Sequence, residues 1–306
     1  MKTLGLDTSN YTTSAAFFDG REGQNCSRLL DVGPGQLGLR QSDALFAHIK
    51  RLPEQIGRLF AESRIEVSAV GASTRPRAVE GSYMPCFLAG QSQAMSVAQI
   101  LGVPFYAFSH QQGHIAAALW SADRLDLMQK PHLAWHLSGG TTELLLVTPD
   151  GKNVKAEKIG GTSDISAGQI VDRTGKLLGL PFPSGKALDA LCQGSDGIDF
   201  FRVKCEKMTF SFSGLENKIR QFSEQGNHDS AVARYAILSI CQTIVNATNQ
   251  ALKAYPGFEV VFSGGVASNS LMREKLSGLP AIFAKPEFST DNAMGIAILT
   301  WMQEEA

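Results

Sequence analysis

Several features that would narrow the function of this chain are missing from it. The five cysteines are widely scattered, and none belongs to a C-x-x-C pair of the kind that builds zinc or redox sites. No stretch reaches the roughly 18 uncharged apolar residues of a membrane span, and Asp7 interrupts the apolar run that follows the N-terminus. Charged residues make up 19% of the chain and the formal net charge is -1, so its composition encodes no strongly basic surface. We therefore expect a cytoplasmic globular protein without disulfides or membrane segments.

Standard nucleotide-binding loops are absent as well. Gly179 and Gly185-Lys186 come near a Walker loop, but the spacing is wrong, and Ala187 stands where that loop carries its Mg-binding hydroxyl. Instead, three turns of small residues each follow a predicted strand directly, at 7–10, 138–142 and 263–269. Such turns expose backbone N–H groups that bind phosphate, and the last leads into a helix whose dipole adds positive charge. One turn alone is typical of a hairpin, but three together favour a nucleotide site.

The order of the predicted elements repeats along the chain. The strand, polar turn and strand at 3–18 are followed by the same pattern at 133–147. A chain of 306 residues also exceeds one ordinary domain. We therefore predict two α/β lobes at 1–128 and 129–306, the second with a helical insertion at about 163–230.

Helical periodicity places the longer helices. One helix of the first lobe follows Ser42 as its cap, with apolar positions at Leu45, Ile49, Leu52, Ile56 and Leu59. A helix rich in small residues is predicted at 87–101, a long one at 230–254, and a last one after Thr290. The last helix is amphipathic, and we expect it to pack within the chain.

Two histidines have the spacing of a metal-binding pair. His110 and His114 stand four residues apart on a predicted helix that begins with a capping box of Ser109 and Gln112. Both imidazoles therefore lie on one helix face, either as ligands of one ion or as part of a polar surface. Gln111 stands where the H-E-x-x-H motif carries its general-base glutamate, so metallopeptidase activity is disfavoured.

Acidic residues offer the oxygen ligands that such a site needs. Asp291 is a candidate third ligand, and its alternative role is that of a cap or first-turn acid of the last helix. Asp7 ends the first strand beside a small-residue turn, where a catalytic carboxylate would orient a metal-bound water or the charge of a nucleotide. Asp172 is followed by Arg173 and Lys176, so it either forms an ion pair within its helix or binds a ribose.

Six blocks of the sequence, in order and over nearly the whole chain, resemble the TsaD family, once called O-sialoglycoprotein endopeptidases. These blocks are residues 110–114, 138–142, 167–180, 210–215, 263–269 and 290–292. The resemblance implies the two-lobed actin-like ATPase fold shared by sugar kinases, heat-shock ATPases and actin. It also implies a transferase that moves a threonylcarbamoyl group from threonylcarbamoyl-adenylate to N6 of the adenosine next to the anticodon of certain tRNAs.

The resemblance implies which residues of this chain form the metal and nucleotide sites. The metal ligands fall on His110, His114 and Asp291, a set that suits iron, zinc or manganese, with iron or zinc expected. The nucleotide- or substrate-binding positions fall on His136, Leu137, Ser138, Gly139, Gly140, Asp172, Gly185 and Asn269. The resemblance further implies an adenine nucleotide, ATP or an acyl-adenylate, as well as a TsaB-like protein of the same fold and a TsaE-like ATPase as partners.

The chain also departs from the family pattern. Tyr11 and Thr12 replace an acidic pair, Thr141 replaces an imidazole, Gln169 replaces an acid, and Arg75-Pro76-Arg77 replaces a Gly-Pro-Gly loop. These changes cluster where chemistry and acceptor binding are expected, which indicates a divergent paralogue. Two alternatives to the tRNA enzyme stay open: a carbamoyl-type transferase with another acceptor, and a nucleotide-binding scaffold without catalysis.

Charge placement would separate these functions. Because the net charge is close to zero, an enzyme acting on tRNA has to gather its cations locally. The candidate cations are Arg75, Arg77, Lys204, Lys207, Lys218 and Arg220.

Overall fold

The computed structural model of the chain describes residues 1–9, 11–31, 39–61, 66–194 and 197–305. It divides into two compact units. Unit 1 comprises Met1–Lys130, Thr148–Ala156 and Asp291–Ala306, and unit 2 comprises Pro131–Val147 and Glu157–Thr290. The division expected at 128/129 lies next to the first crossing between the units, while 148–156 and the C-terminal segment return to unit 1. Asn10, the last residue of the first predicted turn, lies outside the described residues.

Unit 1 is built on a five-stranded sheet with the order β3-β2-β1-β4-β5. Its strands are β1 (Thr3–Ser9), β2 (Thr12–Phe18), β3 (Gly23–Leu29), β4 (Ala69–Arg75) and β5 (Phe105–Ser109). The first three are antiparallel neighbours, whereas β4 runs parallel to β1 and β5 parallel to β4. Every residue of β1 is buried, since helices cover both faces of the sheet there.

Unit 2 contains a seven-stranded sheet with the order β12-β11-β6-β7-β8-β10-β9. Its strands are β6 (His132–Leu137), β7 (Thr142–Asp150), β8 (Asn153–Thr162), β9 (Cys205–Glu206), β10 (Thr209–Phe210), β11 (Val260–Ser263) and β12 (Ala281–Phe283). The run β12-β11-β6-β7-β8 reproduces the order of the sheet in unit 1, with an antiparallel β6–β7 pair and parallel β11 and β12. The repeat visible in the sequence is therefore a repeat of sheet topology.

The described residues form these α-helices: α1 (Gln41–Leu59), α2 (Phe87–Leu101), α3 (His110–Ser121), α4 (Ala167–Leu177), α5 (Gly185–Cys192), α6 (Ser213–Glu224), α7 (Asp229–Ala254), α8 (Ser270–Leu276) and α9 (Met294–Glu304). Short 3₁₀ turns span Leu125–Gln129, Gly265–Ser268 and Pro286–Phe288. The insertion expected at about 163–230 contains α4 to α6 together with the small hairpin β9–β10, which the sequence did not predict. Within the described ranges, no helix is both long enough and apolar enough to cross a membrane.

The buried side of α1 differs from the predicted one. Ile49, predicted to face the core, is 49% exposed, and the helix begins at Gln41 after Arg40 rather than at a Ser42 cap. The buried positions are Ala44, His48, Leu52, Gln55 and Leu59. Two polar residues, His48 and Gln55, lie on the buried side of α1. The apolar positions alone therefore predicted a buried face that is rotated about the helix axis from the observed one.

The last helix, α9, packs within unit 1, as predicted, and contacts β1, β4 and α3. Glycines allow this close approach. A Cβ atom on Gly295 would lie 1.8 Å from the carbonyl oxygen of Gly113 in α3, and a Cβ on Gly5 would lie 2.4 Å from the backbone nitrogen of Ala297. The backbones of α3 and α9 are therefore in direct contact, which fixes the positions of the residues at their N-terminal ends.

Candidate metal centre and small-residue loops

The first turn of α3 is held by the predicted capping box. The Ser109 hydroxyl oxygen accepts from the backbone N–H of Gln112 at 3.2 Å, and the Ser109 N–H donates to Gln112 Oε1 at 2.9 Å. The Gln112 amide also donates to the carbonyl of Val154 at 2.8 Å. Because the start of the helix is fixed in this way, the orientation of His110, its first residue, is fixed as well.

His110, His114 and Asp291 converge in unit 1. The two Nε2 atoms of the histidines are 2.9 Å apart, and Asp291 Oδ1 lies 3.5 Å from the Nε2 of His110 and 3.3 Å from that of His114. Two atoms each bonded at about 2.1 Å to one ion are separated by roughly 3.0 Å in octahedral and 3.4 Å in tetrahedral geometry. The three atoms are thus spaced like ligands of a single divalent ion, and the chemistry of the set, two imidazoles and a carboxylate, fits such an ion.

Asp7 supports His110 from behind. It lies inside β1, not in a loop as predicted, and its carboxyl group is almost completely buried. Its Oδ2 is 2.8 Å from His110 Nδ1, and its Oδ1 accepts from the backbone N–H of Ser9 at 2.9 Å. A carboxylate on Nδ1 fixes the tautomer of an imidazole whose Nε2 binds a metal. These contacts make Asp7 a positioning residue, while the catalytic role expected from the sequence stays a prediction.

The charges of the centre are strongly coupled. Burial raises the pKa of Asp7, but the interactions of its carboxylate, above all with His110, lower that pKa overall. Burial also raises the pKa of Asp291, yet His110 and His114 hold it well below its usual range. Burial lowers the pKa of His110, yet the Asp7 and Asp291 carboxylates raise it to about 10. A protonated His110 therefore balances the two carboxylates when no ion is bound, and metal binding has to displace that proton.

Asp291 does not cap the last helix. The N-terminal residue before α9 is Ala293, and Asn292 Oδ1 accepts from the Met294 N–H at 3.0 Å. The carboxylate of Asp291 is turned to the histidines instead, so the alternative role as a cap is wrong.

In unit 2, the turn at 138–140 is open to a ligand. The Ser138 N–H donates to the Thr141 carbonyl at 2.8 Å, and the Thr141 N–H donates to the Ser138 hydroxyl at 3.1 Å. A Cβ atom on Gly139 or Gly140 would meet nothing within 4 Å. Among the described residues, the N–H groups of these two glycines have no acceptor in the protein. The turn thus has both the space and the donors to bind an anionic group.

Two further segments are packed against this turn. A Cβ on Gly168, in the first turn of α4, would lie 2.4 Å from the Ser138 carbonyl oxygen, and one on Gly264 would lie 2.2 Å from that of Leu137. Gly264 has φ +94°, a conformation that favours glycine. His136 is half-buried, with Nδ1 3.5 Å from the Ser263 hydroxyl, whereas the Leu137 side chain is fully buried, so only its backbone is available to a ligand.

Two of the remaining predicted positions of unit 2, Asp172 and Asn269, each accept a hydrogen bond from a backbone N–H. Asp172 Oδ1 accepts from the Ser184 N–H at 2.8 Å, immediately before Gly185 begins α5. At the N-terminus of α8, Asn269 Oδ1 accepts from the Met272 N–H at 3.0 Å.

Asp189 connects α5 to α8, a role that the sequence did not predict. Its carboxylate accepts from the Ser270 hydroxyl at 2.7 Å and from the Ser270 N–H at 3.1 Å. The signal in the sequence was an acid one helical turn after Gly185, but its partner is distant along the chain. Among the described residues, the alternative ion pair of Asp172 within α4 is not formed, and Arg173 Nη1 pairs with Glu216 Oε2 of α6 at 2.6 Å.

Some departures from the family pattern have structural roles. The Gln169 side chain completes a capping box, in which the Ser166 N–H donates to Oε1 at 3.0 Å and the Ser166 hydroxyl accepts from the Gln169 N–H at 3.1 Å. Glutamine therefore keeps the capping function of an acid without its charge. Thr12 is buried in β2 opposite Ser9, while Tyr11 accepts from the Leu30 N–H at 2.7 Å through its carbonyl.

The candidate cations are distributed over several elements. Arg75 and Arg77 lie at and after the end of β4 in unit 1, Lys204 pairs with Glu206 at 2.6 Å beside the β9–β10 hairpin, and Lys207 occupies the turn of that hairpin. Lys218 and Arg220 lie on α6, where Arg220 lines a groove of about 520 Å³ together with Arg173 and Lys176.

Sequence comparisons give one family. The family model for TsaD, tRNA N6-adenosine threonylcarbamoyltransferase, matches residues 38–298. A tRNA N6-adenosine threonylcarbamoyltransferase of Rhizobium etli is 30% identical over 97% of this chain and 87% of its own length. A protein of the same name from Christiangramia forsetii is 31% identical over 82% of this chain and 78% of its own length.

Structural comparisons confirm the predicted actin-like fold. Component A of the (R)-2-hydroxyglutaryl-CoA dehydratase of Acidaminococcus fermentans aligns with a TM-score of 0.58 at 14% identity, covering 99% of this chain and 98% of that chain. The ROK hexokinase of Thermus thermophilus aligns with a TM-score of 0.56 at 15% identity, covering 99% of both chains. At such identities the likeness concerns the fold alone.

Proposed function

The chain belongs to the TsaD family of tRNA N6-adenosine threonylcarbamoyltransferases, and we propose that it transfers a threonylcarbamoyl group from threonylcarbamoyl-adenylate to N6 of the adenosine next to the anticodon of tRNA. The observation that carries this proposal is the convergence of His110, His114 and Asp291 at ligand-like distances. We place the reaction in the cytoplasm, with a TsaB-like protein and a TsaE-like ATPase as partners.

The residues of unit 1 suit a metal-dependent transfer. His110, His114 and Asp291 would hold a divalent ion, iron or zinc, which would supply Lewis-acid chemistry to the reaction. Asp7 holds His110 by Nδ1, so that Nε2 keeps its direction. Because Asp7 is buried and both of its oxygens are engaged, it does not take up the proton of the attacking amine in this proposal.

The residues of unit 2 have groups that suit an adenine nucleotide. The free N–H groups of Gly139 and Gly140 bind the phosphate, with Ser138 fixing the turn around them. Asp172 uses one oxygen to bind Ser184, which leaves the other for a ribose hydroxyl. Asn269 uses its amide oxygen as a helix cap, which leaves the amide NH₂ group as a donor to the nucleotide.

The transfer needs no covalent enzyme intermediate, because the carbonyl carbon of the adenylate is already activated. The N6 amine attacks that carbon, the new N–C bond forms, the bond from carbon to the phosphate oxygen breaks, and AMP leaves. The proton of the amine passes to the departing phosphate. Donors aimed at the phosphate stabilise the negative charge that develops on the leaving group.

Transfer of a carbamoyl-type group to another acceptor is the second candidate function. It is favoured by the loss of acidic charge at the three family positions that Tyr11, Thr12 and Gln169 now occupy. Thr12 is buried in a strand, and Gln169 is used in a capping box. The same residues would hold the adenylate, and only the attacking nucleophile would differ.

Reconstituted transfer tests the proposal. The purified protein, loaded with iron or zinc, is supplied with threonylcarbamoyl-adenylate generated in place, unmodified tRNA and the two partner proteins, and digested nucleosides are analysed by mass spectrometry. We expect threonylcarbamoyladenosine with the unaltered chain, none with His110→Ala, and undiminished product with His228→Ala, which changes an exposed histidine of unit 2.

The negative outcomes are informative. If tRNA stays unmodified while metal and nucleotide still bind, the tRNA assignment fails. Release of AMP that depends on an added amine or other nucleophile would then identify a transferase with another acceptor, and no release would identify a nucleotide-binding scaffold.

A further inference from the structure

A connecting loop of unit 1 begins and ends beside the candidate metal centre. This β4–α2 loop comprises residues 76–86, which follow β4 and precede α2. Arg75, the last residue of β4, is paired in register with Ser109, the residue before His110. At its other end, the Phe87 ring lies 6.0 Å from the His110 ring, centroid to centroid. The loop is also tied to the first turn of α3, because the Gln111 N–H donates to the Pro76 carbonyl at 3.0 Å.

Internal hydrogen bonds hold the backbone of this loop. The Arg77 N–H donates to the Ser82 hydroxyl at 3.0 Å, and the Ser82 N–H donates to the Val79 carbonyl at 3.3 Å. These bonds bring the basic start of the loop close to Tyr83, the residue after Ser82. The loop is therefore shaped before any ligand binds, which reduces the entropy lost on binding.

Several side chains of this loop are exposed. Tyr83 is 62% exposed, and Arg75 and Arg77 are exposed as well. The guanidinium group of Arg75 has no hydrogen-bonding or ionic partner among the described residues. Glu80 is the acid of the loop, so Arg75, Arg77 and Glu80 together give a surplus of one positive charge beside the centre.

An exposed aromatic ring next to arginines matches the chemistry of single-stranded RNA. Unpaired bases stack on aromatic side chains and phosphates bind arginine, whereas paired bases in a duplex leave no face for stacking. The acceptor adenosine of the proposed reaction has to be unpaired, because its N6 amine is the nucleophile. With an overall charge of -1, the chain has to bind RNA through local groups of this kind.

We propose that the β4–α2 loop, with Arg75, is the surface that binds the single-stranded anticodon loop of the acceptor RNA. Arg75 and Arg77 contact phosphates, and Tyr83 stacks on an unpaired base. This inference rests on the proposed function, because it requires that the acceptor is RNA. It assigns a role to Arg75-Pro76-Arg77, where the family pattern has glycines that offer no side chains.

Binding measurements on the full chain, loaded with metal, test this surface. The probes are a labelled, unmodified anticodon stem-loop RNA and a fully paired RNA duplex with the same number of nucleotides, titrated at several salt concentrations. The variants are Arg75→Gln and Tyr83→Ala. Their matched controls are Arg58→Gln, an exposed arginine of α1, and Phe182→Ala, an exposed aromatic of unit 2.

The two variants are expected to differ in kind. Arg75→Gln lowers the slope of log affinity against log salt for the stem-loop by about 0.7 to 0.9, the value for one lost phosphate contact, and Arg75→Lys restores it. Tyr83→Ala weakens stem-loop binding about 5- to 100-fold at unchanged slope and leaves binding of the paired duplex unaffected. Both controls bind as the unaltered chain does. Metal content and thermal unfolding are measured on every variant, and Arg77→Gln provides the same test if Arg75→Gln does not fold.

The contrary results are distinct. If the variants bind the stem-loop as their controls do while the unaltered chain still modifies tRNA, the loop proposal is refuted and the proposed function stands. If the unaltered chain binds metal and nucleotide but neither RNA, both fail. If the loop variants lose binding only to AMP, the loop binds a small anion. If they lose binding only to the TsaB-like partner, the loop is a protein interface. Either result would also refute the role of the loop in binding RNA.

Discussion

The contact between α3 and α9 predicts that a single methyl group will disturb the candidate metal centre. In Gly295→Ala, the new Cβ would lie 1.8 Å from the Gly113 carbonyl oxygen, and no rotation of a side chain can relieve a clash with backbone. The two helices have to separate by more than about 1 Å before the contact is tolerable. Alanine favours a helix over glycine by up to about 1 kcal/mol, but overpacking opposes folding by roughly 1 to 3 kcal/mol. We expect a net loss of stability.

The same displacement would reach the ligands. His114 follows Gly113 directly, and Asp291 stands four residues before Gly295. Widening the 3.3 Å separation between Asp291 Oδ1 and His114 Nε2 by about 1 Å exceeds the tolerance of about 0.2 Å for metal–ligand distances. We therefore expect metal affinity to fall by at least about 10-fold, a loss typical of a displaced metal shell.

Denaturant unfolding and a competition titration with a chromogenic chelator measure the two effects. The control is Gly57→Ala in α1, where a Cβ would meet nothing within 4 Å. That variant should be as stable as the unaltered chain or more so, by up to about 1 kcal/mol, with unchanged metal affinity. If Gly295→Ala behaves like Gly57→Ala in both assays, the backbone contact does not position the centre and the reasoning is refuted.

Variants at three further residues test individual roles. Asp7→Asn removes the carboxylate on His110 Nδ1, so metal affinity measured by chelator competition should fall about 10- to 100-fold, and an affinity equal to that of the unaltered chain would contradict the supporting role. In denaturant unfolding, Gln169→Ala should lower the free energy of unfolding by about 1 kcal/mol, because it breaks the capping box. Gln169→Glu should leave the free energy of unfolding unchanged, because glutamate can accept the same hydrogen bond. Equal losses in the two variants would contradict a stabilising role of the capping box. Burial lowers the pKa of His48 from its ordinary value of 6.5 to about 4. Below pH 6.5, His48 is therefore protonated in the unfolded chain and stays neutral in the folded chain. The contribution of neutral His48 to the free energy of unfolding is therefore fully present above pH 6.5, and about 2 kcal/mol of it should be lost between pH 6.5 and 5. The variant His48→Asn should remove this pH dependence from the thermal unfolding profile. If the variant has the same pH profile as the unaltered chain, His48 is not its cause.

Local sequence determined a large part of this protein. The capping boxes at Ser109 and Ser166 depend on residues three positions apart, and the shared face of His110 and His114 depends on the helical repeat alone. The repeated strand-turn-strand pattern was readable for the same reason, since alternation of apolar residues is a property of each strand. The six TsaD-like blocks also predicted the fold and the family, because they occur in this chain in the order typical of that family.

Only the tertiary structure decided which distant groups meet. Asp291 reaches the histidines because glycines let α9 pack closely against α3, and Asp7 reaches His110 from inside a strand that was predicted to end with it. The polar residues on the buried side of α1 and the link from Asp189 to Ser270 were equally invisible in the sequence. The physical reason is common to all of them. A helical turn or a capping box is fixed by neighbours along the chain, whereas burial and long-range contacts depend on where the sheets and helices finally pack.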